Sequence, residues 1–203
     1  MNKDLANPAA LGLGGFALTT FILNIVNAGL IPPESLGMVL PMGLFYGGLA
    51  QFLAGMWEVR AGNTFGATAF SSYGAFWMGF ALMEIFVQMG IFPPIPKEGL
   101  AVFLIAWGIF TGYMTFGALR VSKAVTVVFV TLTILFFLLA IGVFVPIVHR
   151  IAGFEGILCA LSAWYTSLAV VLEATWGRPV LPVGPAARKS PEEKERRELA
   201  KVR

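Results

Sequence analysis

Long apolar runs, interrupted by short polar or proline-containing breaks, organise this chain. The breaks leave runs near residues 9–30, 37–57, 65–89, 99–118, 122–147 and 152–175. Each approaches the roughly 20 residues that a helix needs to cross about 30 Å of hydrocarbon. The pattern therefore predicts an all-α integral membrane protein with six transmembrane helices. Residues 1–8 read as a polar leader, 9–177 as the six-helix membrane domain and 178–203 as a charged tail. No basic region followed by a cleavage site opens the first run, so it does not read as a removable signal peptide.

Polar residues inside the runs are not scattered. In lipid the helix backbone satisfies itself, and polar side chains turn to protein or to a water-filled path. In the first run Phe16, Thr20, Asn24 and Asn27 follow i, i+4, i+8 and i+11, one continuous face. Gln51 and Glu58 stand seven apart in the second, and Tyr73, Trp77, Glu84 and Gln88 share a face of the third. Ser162, Thr166, Ala169 and Glu173 do so in the sixth, while Trp107, Thr111 and Thr115 and then Ser122, Thr126 and Thr133 form weaker stripes. Any single Ser or Thr is well explained as glue between helices, worth about 0.6 kcal/mol. Asn24, Asn27, Gln51 and Tyr73 are harder to explain that way, because an amide in hydrocarbon needs several partners. Their registration predicts a mildly polar path through the bundle.

Composition agrees: 58% of residues are hydrophobic and 12% charged, against about 25% charged in soluble domains. Lys3, Arg60, Arg120, Lys123 and every basic residue from Arg178 onward fall on one side of the six runs, with only Lys97 and Arg150 on the other. Positive charge marks cytoplasmic loops, so both termini are expected in the cytoplasm. The net charge of +3 comes from the tail, where Ser190, Pro191 and Glu193 suit the start of a short solvated helix. Lone Cys159 makes no intramolecular disulfide and reads as packing. Gly43 with Gly47, and Gly108 with Gly112, are small pairs that let helices approach closely. Their contexts, GLFYGGL and GIFTGYM, resemble each other and hint at repeated helical hairpins.

Catalytic chemistry is not visible. His149 is the single histidine and falls between the last two runs, in an external loop; no nucleophile–base pair or metal-ligand spacing accompanies it. No enzyme activity, metal, cofactor or nucleic-acid partner is expected. In LGLGGF, Gly12 and Gly14 match the first two positions of a dinucleotide fingerprint, but Ala17 replaces the third glycine and no strand precedes it. Three carboxylates are counted in the runs or at their ends: Glu58, near Arg60, reads as structural, and Glu84 and Glu173 are candidates for proton handling. Apart from Lys123 at the very start of the fifth, no Lys or Arg lies inside a run, which argues against a tightly held anion.

NPAALGL at Asn7–Leu13 and GLFYGGLAQFLAGMWEVRAGNTFGATAFSSYGAFW from Gly43 to Trp77 resemble the acetate uptake transporter family, which includes bacterial succinate/acetate permeases and yeast acetate and ammonia export proteins. The similarity extends to GRPVLPVG, and Ala10 stands where family members often have proline. The resemblance implies six helices arranged as hairpins around a narrow pore, and protomers assembled into a ring-shaped homo-hexamer in the cell (inner) membrane. It implies transport of acetate and similar small monocarboxylates, with succinate a further candidate, by proton-coupled uptake or channel-like flow. Residues 9–177 are then the transport domain. Phe16, Tyr73 and Leu132 match the family's constriction and Ala163 another pore-facing position; for Leu132 only the resemblance speaks. Thr20, Asn24, Asn27 and Gln51 are the polar lining. Asn7, Asn63 and Thr64 begin helices at the cytoplasmic mouth, where free backbone N–H groups suit either a weak carboxylate station or plain capping. A channel for urea, ammonia or water, and a membrane scaffold without transport, are the competing readings.

Overall fold

The computed structural model describes residues 6–184. Lys3 and the tail from residue 185, with the helix expected at Ser190, lie outside the described residues. Among the described residues, six helical spans are long and apolar enough to cross a membrane: Ala9–Asn27 (α1), Pro33–Arg60, Thr64–Gln88 (α4), Lys97–Ala118 (α5), Lys123–Gly142 (α6) and Pro146–Trp176 (α7). The second span is composite. It runs from a 3-10 turn at Pro33–Ser35 through helix α2 (Leu36–Leu44) and a π-helical turn at Phe45–Ala50 to helix α3 (Gln51–Arg60).

Local chemistry accounts for several helix starts. Asn7 Oδ1 accepts from Ala9 N at 3.0 Å, Asn63 Oδ1 from Gly66 N at 3.2 Å and Ser122 Oγ from Val125 N at 3.1 Å. Each satisfies one of the donors that a helix start leaves orphaned. The π turn has a tertiary cause. A Cβ on Gly15 would stand 2.5 Å from the Tyr46 carbonyl oxygen, and one on Gly47 would stand 2.5 Å from Thr19 Oγ1. Helix α1 therefore lies directly against the widened backbone, and only glycine at both positions permits it. Pro41 supplies no backbone N–H one turn earlier.

The two small-residue pairs behave differently. Gly43 faces α4, where an added Cβ would be 3.1 Å from Ala81 Cβ, whereas Gly47 faces α1. Gly108 and Gly112 both face α6, at Phe137 and Thr133. GLFYGGL thus contains the π turn, while GIFTGYM continues as regular helix α5.

Helix ends collect at two ends of the bundle. Asn27, Leu36, Glu84, Lys97, Val143 and His149 border one cavity at the far end. The terminal end holds Asn7, Asn63 and Ser122, and there residues 182–184 fold back as a strap: Lys123 N and Ala124 N donate to the Gly184 and Val183 carbonyls at 3.1 and 2.9 Å. Tyr165 Oη donates to Pro182 O at 2.9 Å. Arg60, Arg120, Lys123 and Arg178 stand at the terminal end and Lys97 and Arg150 at the far end, each beyond a helix or within its first or last five residues.

One expected boundary changes the reading of two residues. α7 begins at Pro146, so His149 and Arg150 are helical residues and not loop residues. Proline fits the first helical turn because its missing N–H is unpaired there anyway. Arg150 Nε donates to the Ala28 carbonyl at 3.1 Å and so caps the end of α1 from within α7.

Candidate functional site

α1, α4 and α6 converge on a neck. Phe16, Tyr73 and Leu132 are each at most 4% exposed, and the Phe16 and Tyr73 ring centroids are 6.0 Å apart. A cavity of about 20 Å³ on the terminal side is bordered by Leu13, Gln51, Phe70 and Phe129 together with this trio. Another, of about 30 Å³ on the far side, is bordered by the same trio with Thr20, Asn24 and Trp77. Phe16, Tyr73 and Leu132 are the residues common to both. Each space holds roughly one or two waters.

Tyr73 is the hub of this neck. Trp107 and Phe110 of α5 and Phe129 of α6 surround its ring at centroid distances of 6.0, 5.6 and 6.1 Å. Its hydroxyl lies 2.9 Å from Thr111 Oγ1 on α5. The polar face of α1 continues outward: Asn24 Nδ2 donates to the Thr20 carbonyl at 2.8 Å, and Asn27 Nδ2 to Asn24 Oδ1 at 3.2 Å. Gly156 of α7, lacking a Cβ, leaves the room that the Asn24 amide occupies. Three buried polar atoms bordering the two small cavities have no protein partner: Gln51 Oε1, Thr20 Oγ1 and Trp77 Nε1. Buried polar groups are seldom left so unless water or a ligand serves them.

Beyond the neck the space widens to about 400 Å³. Leu23, Phe76 and Leu139 border both this cavity and the small one beneath it. Glu84, Lys97 and His149 bring ionisable groups to its wall, and Asn27 brings an amide. A Cβ on Gly142 would stand 2.7 Å from His149 Cα, so the close approach of α6 and α7 fixes where the imidazole projects.

The terminal mouth differs from expectation. Asn63 and Thr64 do begin α4, and the carboxyl group at that helix start is the chain's own Glu58. Asn63 Nδ2 donates to Glu58 Oε2 at 2.8 Å, and a Cβ on Gly66 would meet the Glu58 carboxyl carbon at 2.8 Å. The carboxylate thus sits beneath the first turn of α4, where the helix dipole favours it. Asn7 is likewise committed to capping α1. At both starts a capping bond forms, to Ala9 N at α1 and to Gly66 N at α4.

Other candidates do not border the two small cavities. Ala163 is fully buried within the apolar core of α1, α4, α6 and α7 and borders neither small cavity. Glu173 is exposed near the end of α7. Ser162, Thr166, Thr126 and Thr133 donate to their own helix carbonyls three or four residues back, as Ser and Thr often do. Glu155 is a fourth carboxyl group; it lies inside α7 and both its oxygens are buried without a partner. The apolar run around it concealed it, although an acid inside a run is the signal to look for. His149 precedes the sixth apolar run, so the run pattern gives no sign that it borders a cavity.

Similarity to other proteins follows this architecture. Residues 1–185 match the model of the GPR1/FUN34/yaaH family. The chain is 45% identical over 186 residues to the succinate-acetate/proton symporter SatP of Escherichia coli K12, covering 90% of this chain and 97% of that protein. It is 39% identical over 198 residues to acetate permease A of Emericella nidulans, covering 89% of this chain and 66% of the permease. It is also 37% identical over 175 residues to ammonia transport outward protein 2 of Saccharomyces cerevisiae, covering 81% and 61% of the two. The solved structure of the bacterial acetate channel SatP superposes with a TM-score of 0.86 at 44% identity, covering 89% of this chain and 100% of the channel. With six apolar spans, an aromatic neck and similarity along nearly the whole described length, the chain belongs to the GPR1/FUN34/yaaH family.

Proposed function

We propose that this protein carries acetate and similar small monocarboxylates, succinate among the candidates, across the cell (inner) membrane through a path in each protomer. The neck of Phe16, Tyr73 and Leu132 selects by size and polarity. Gln51 lines its terminal side, and Thr20, Asn24 and Asn27 line its far side. Glu84 borders the antechamber as a candidate for proton handling. Residues 9–177 form the transport domain, flanked by a leader and a charged tail. Both termini face the cytoplasm, in keeping with Arg60, Arg120, Lys123 and Arg178 at the terminal end. Protomers form a homo-hexameric ring of hairpin-built bundles; apolar residues such as Ile109, Phe116 and Leu158 on the outer faces suit lipid or a neighbouring protomer.

The observation that carries this reading is the sharing of one trio between two water-sized cavities in line. Those three residues are where a two-carbon acid would be squeezed. One methylene in an apolar pocket is worth about 1–3 kcal/mol. Phe16→Ala and Tyr73→Ala are therefore expected to raise butyrate uptake relative to acetate about tenfold in proteoliposomes. Unchanged selectivity in both variants removes the constriction. Competition of labelled acetate by urea or ammonium, with no competition by propionate, replaces the carboxylate reading with a neutral-solute channel.

A further inference from the structure

We propose that the groove enclosed by α6, α7 and the strap of residues 182–184 is a binding site for an anionic phospholipid, with Lys123 holding the phosphate at its rim and the apolar wall receiving an acyl chain. The site lies on the outer surface of the bundle and does not depend on which solute crosses the neck.

The strap builds the groove. Gly177, left-handed at φ 66°, ends α7 and lets the chain turn back, and Gly184, also at φ 66°, meets the start of α6. Tyr165 Oη holds the Pro182 carbonyl, and the Lys123 and Ala124 amides hold those of Gly184 and Val183. A Cβ on Gly184 would stand 2.9 Å from Lys123 Cβ, Cγ and Cδ, so the strap presses on the lysine stem and limits where its ammonium can project. Strap and helices enclose a cavity of about 470 Å³, inside the roughly 300–1,000 Å³ range of small-molecule sites. None of the neck residues borders it.

Its chemistry suits a lipid better than a free anion. Ala124 and Val127 of α6 and Val183 of the strap make the wall largely apolar. Val127 and Tyr165 are exposed on the outside of the bundle, so the groove opens sideways toward hydrocarbon and not toward the path. Ser162 Oγ spends its proton on the Cys159 carbonyl at 2.7 Å and Tyr165 Oη on that of Pro182. Lys123 brings the only charge among the described residues that border the cavity. A lysine lays its stem along apolar surface and keeps its ammonium in the polar layer, which sets a phosphate at the rim above a chain in the groove. Arg120, three residues earlier at the same end, adds to a positive field that draws anionic lipid.

The test titrates the full chain in detergent micelles with phosphatidylglycerol, with phosphatidylcholine of the same chains, and with inorganic phosphate, following the melting temperature. Phosphatidylglycerol is expected to stabilise the wild type with a midpoint about fivefold lower than phosphatidylcholine, the scale of one lysine beside an anionic lipid, and inorganic phosphate to leave it unmoved. Lys123→Gln is expected to raise the phosphatidylglycerol midpoint about fivefold and spare that of phosphatidylcholine, while Lys123→Arg keeps the preference. Gly184→Ala, which displaces the strap, is expected to lose the preference although the lysine remains. Val127→Trp, which fills the wall, is expected to raise both midpoints. Arg178→Gln removes a cation at the same end that does not border the groove, and its midpoints are expected within about twofold of wild type. Equal wild-type midpoints for the two lipids overturn the proposal, as does a loss in Arg178→Gln equal to that in Lys123→Gln, or stabilisation by inorganic phosphate to the same extent as by lipid. Val127→Trp that breaks up an oligomer and leaves both lipid midpoints unmoved overturns it too, and assigns the groove to a second copy of the chain.

Discussion

The neck and the far-end cavity are neighbours on one path with opposite electrostatic character. The cavity of about 400 Å³ sets Glu84, Lys97 and His149 on its wall. The neck, closed to spaces of about 20 and 30 Å³, has no ionisable side chain beyond the Tyr73 phenol. Charge is tolerated where water accompanies it and excluded where water is stripped, since an isolated carboxylate in a low-dielectric medium loses hydration worth tens of kcal/mol. The wide end can therefore gather charged solute, but the narrow point sets what crosses.

The sharpest way to break this comparison is to move one charge between the two places. Leu132→Lys buries an ammonium without a partner, a penalty of several kcal/mol, and is expected to reduce acetate flux about hundredfold or more. Val143→Lys puts the same group on the cavity wall, with flux expected within about threefold of wild type. Equal flux in the two variants, measured in proteoliposomes at matched protein content, removes the distinction.

A second, smaller effect concerns the mouth at the terminal end. Glu58→Ala removes the carboxylate beneath the first turn of α4 and frees the Asn63 amide, at an expected loss of about 2 kcal/mol of stability. The melting temperature in detergent should fall. Added acetate should raise it again in the variant and leave the wild type unmoved, because only the variant has a vacant helix start. Stabilisation of the wild type by acetate through this end would place a substrate station there.

The smallest effect belongs to the cavity wall. Lys97→Gln is expected to raise the KM for acetate about twofold to threefold at low ionic strength. The difference should fade above about 0.15 M salt, where charges more than about 8 Å apart are screened. A change in kcat with an unmoved KM would mean that Lys97 acts at the neck and not as an outer attractor.

Much of this architecture is legible from the residues. The six spans follow from run length, and Phe16, Thr20, Asn24 and Asn27 do share one face, with Phe16 at the neck and Asn27 at the wide cavity. The helix starts at Asn7, Asn63 and Ser122 follow from side chains two or three residues from their partners. Legibility fails where partners are distant or where two local signals compete. The Thr111 stripe looked weak because its value lies in Tyr73, 38 residues away. The start of α4 suits a carboxyl group, and nothing local says whether Glu58 or a substrate fills it. Ala163 carries no polar signal of its own, and the face it presents depends on how α7 meets α1 and α6.

The sequence by itself determined the helices, their number and their polar faces, because transfer from water to lipid is summed residue by residue over about 20 positions and helix caps are local bonds. Only the tertiary structure decided the π turn against Gly15, the carboxylate that fills the α4 start and the hydrogen bond that orients Tyr73. Each depends on which helix faces abut, and that choice is made by close packing and by the need to pair every buried polar group across helices far apart in the chain.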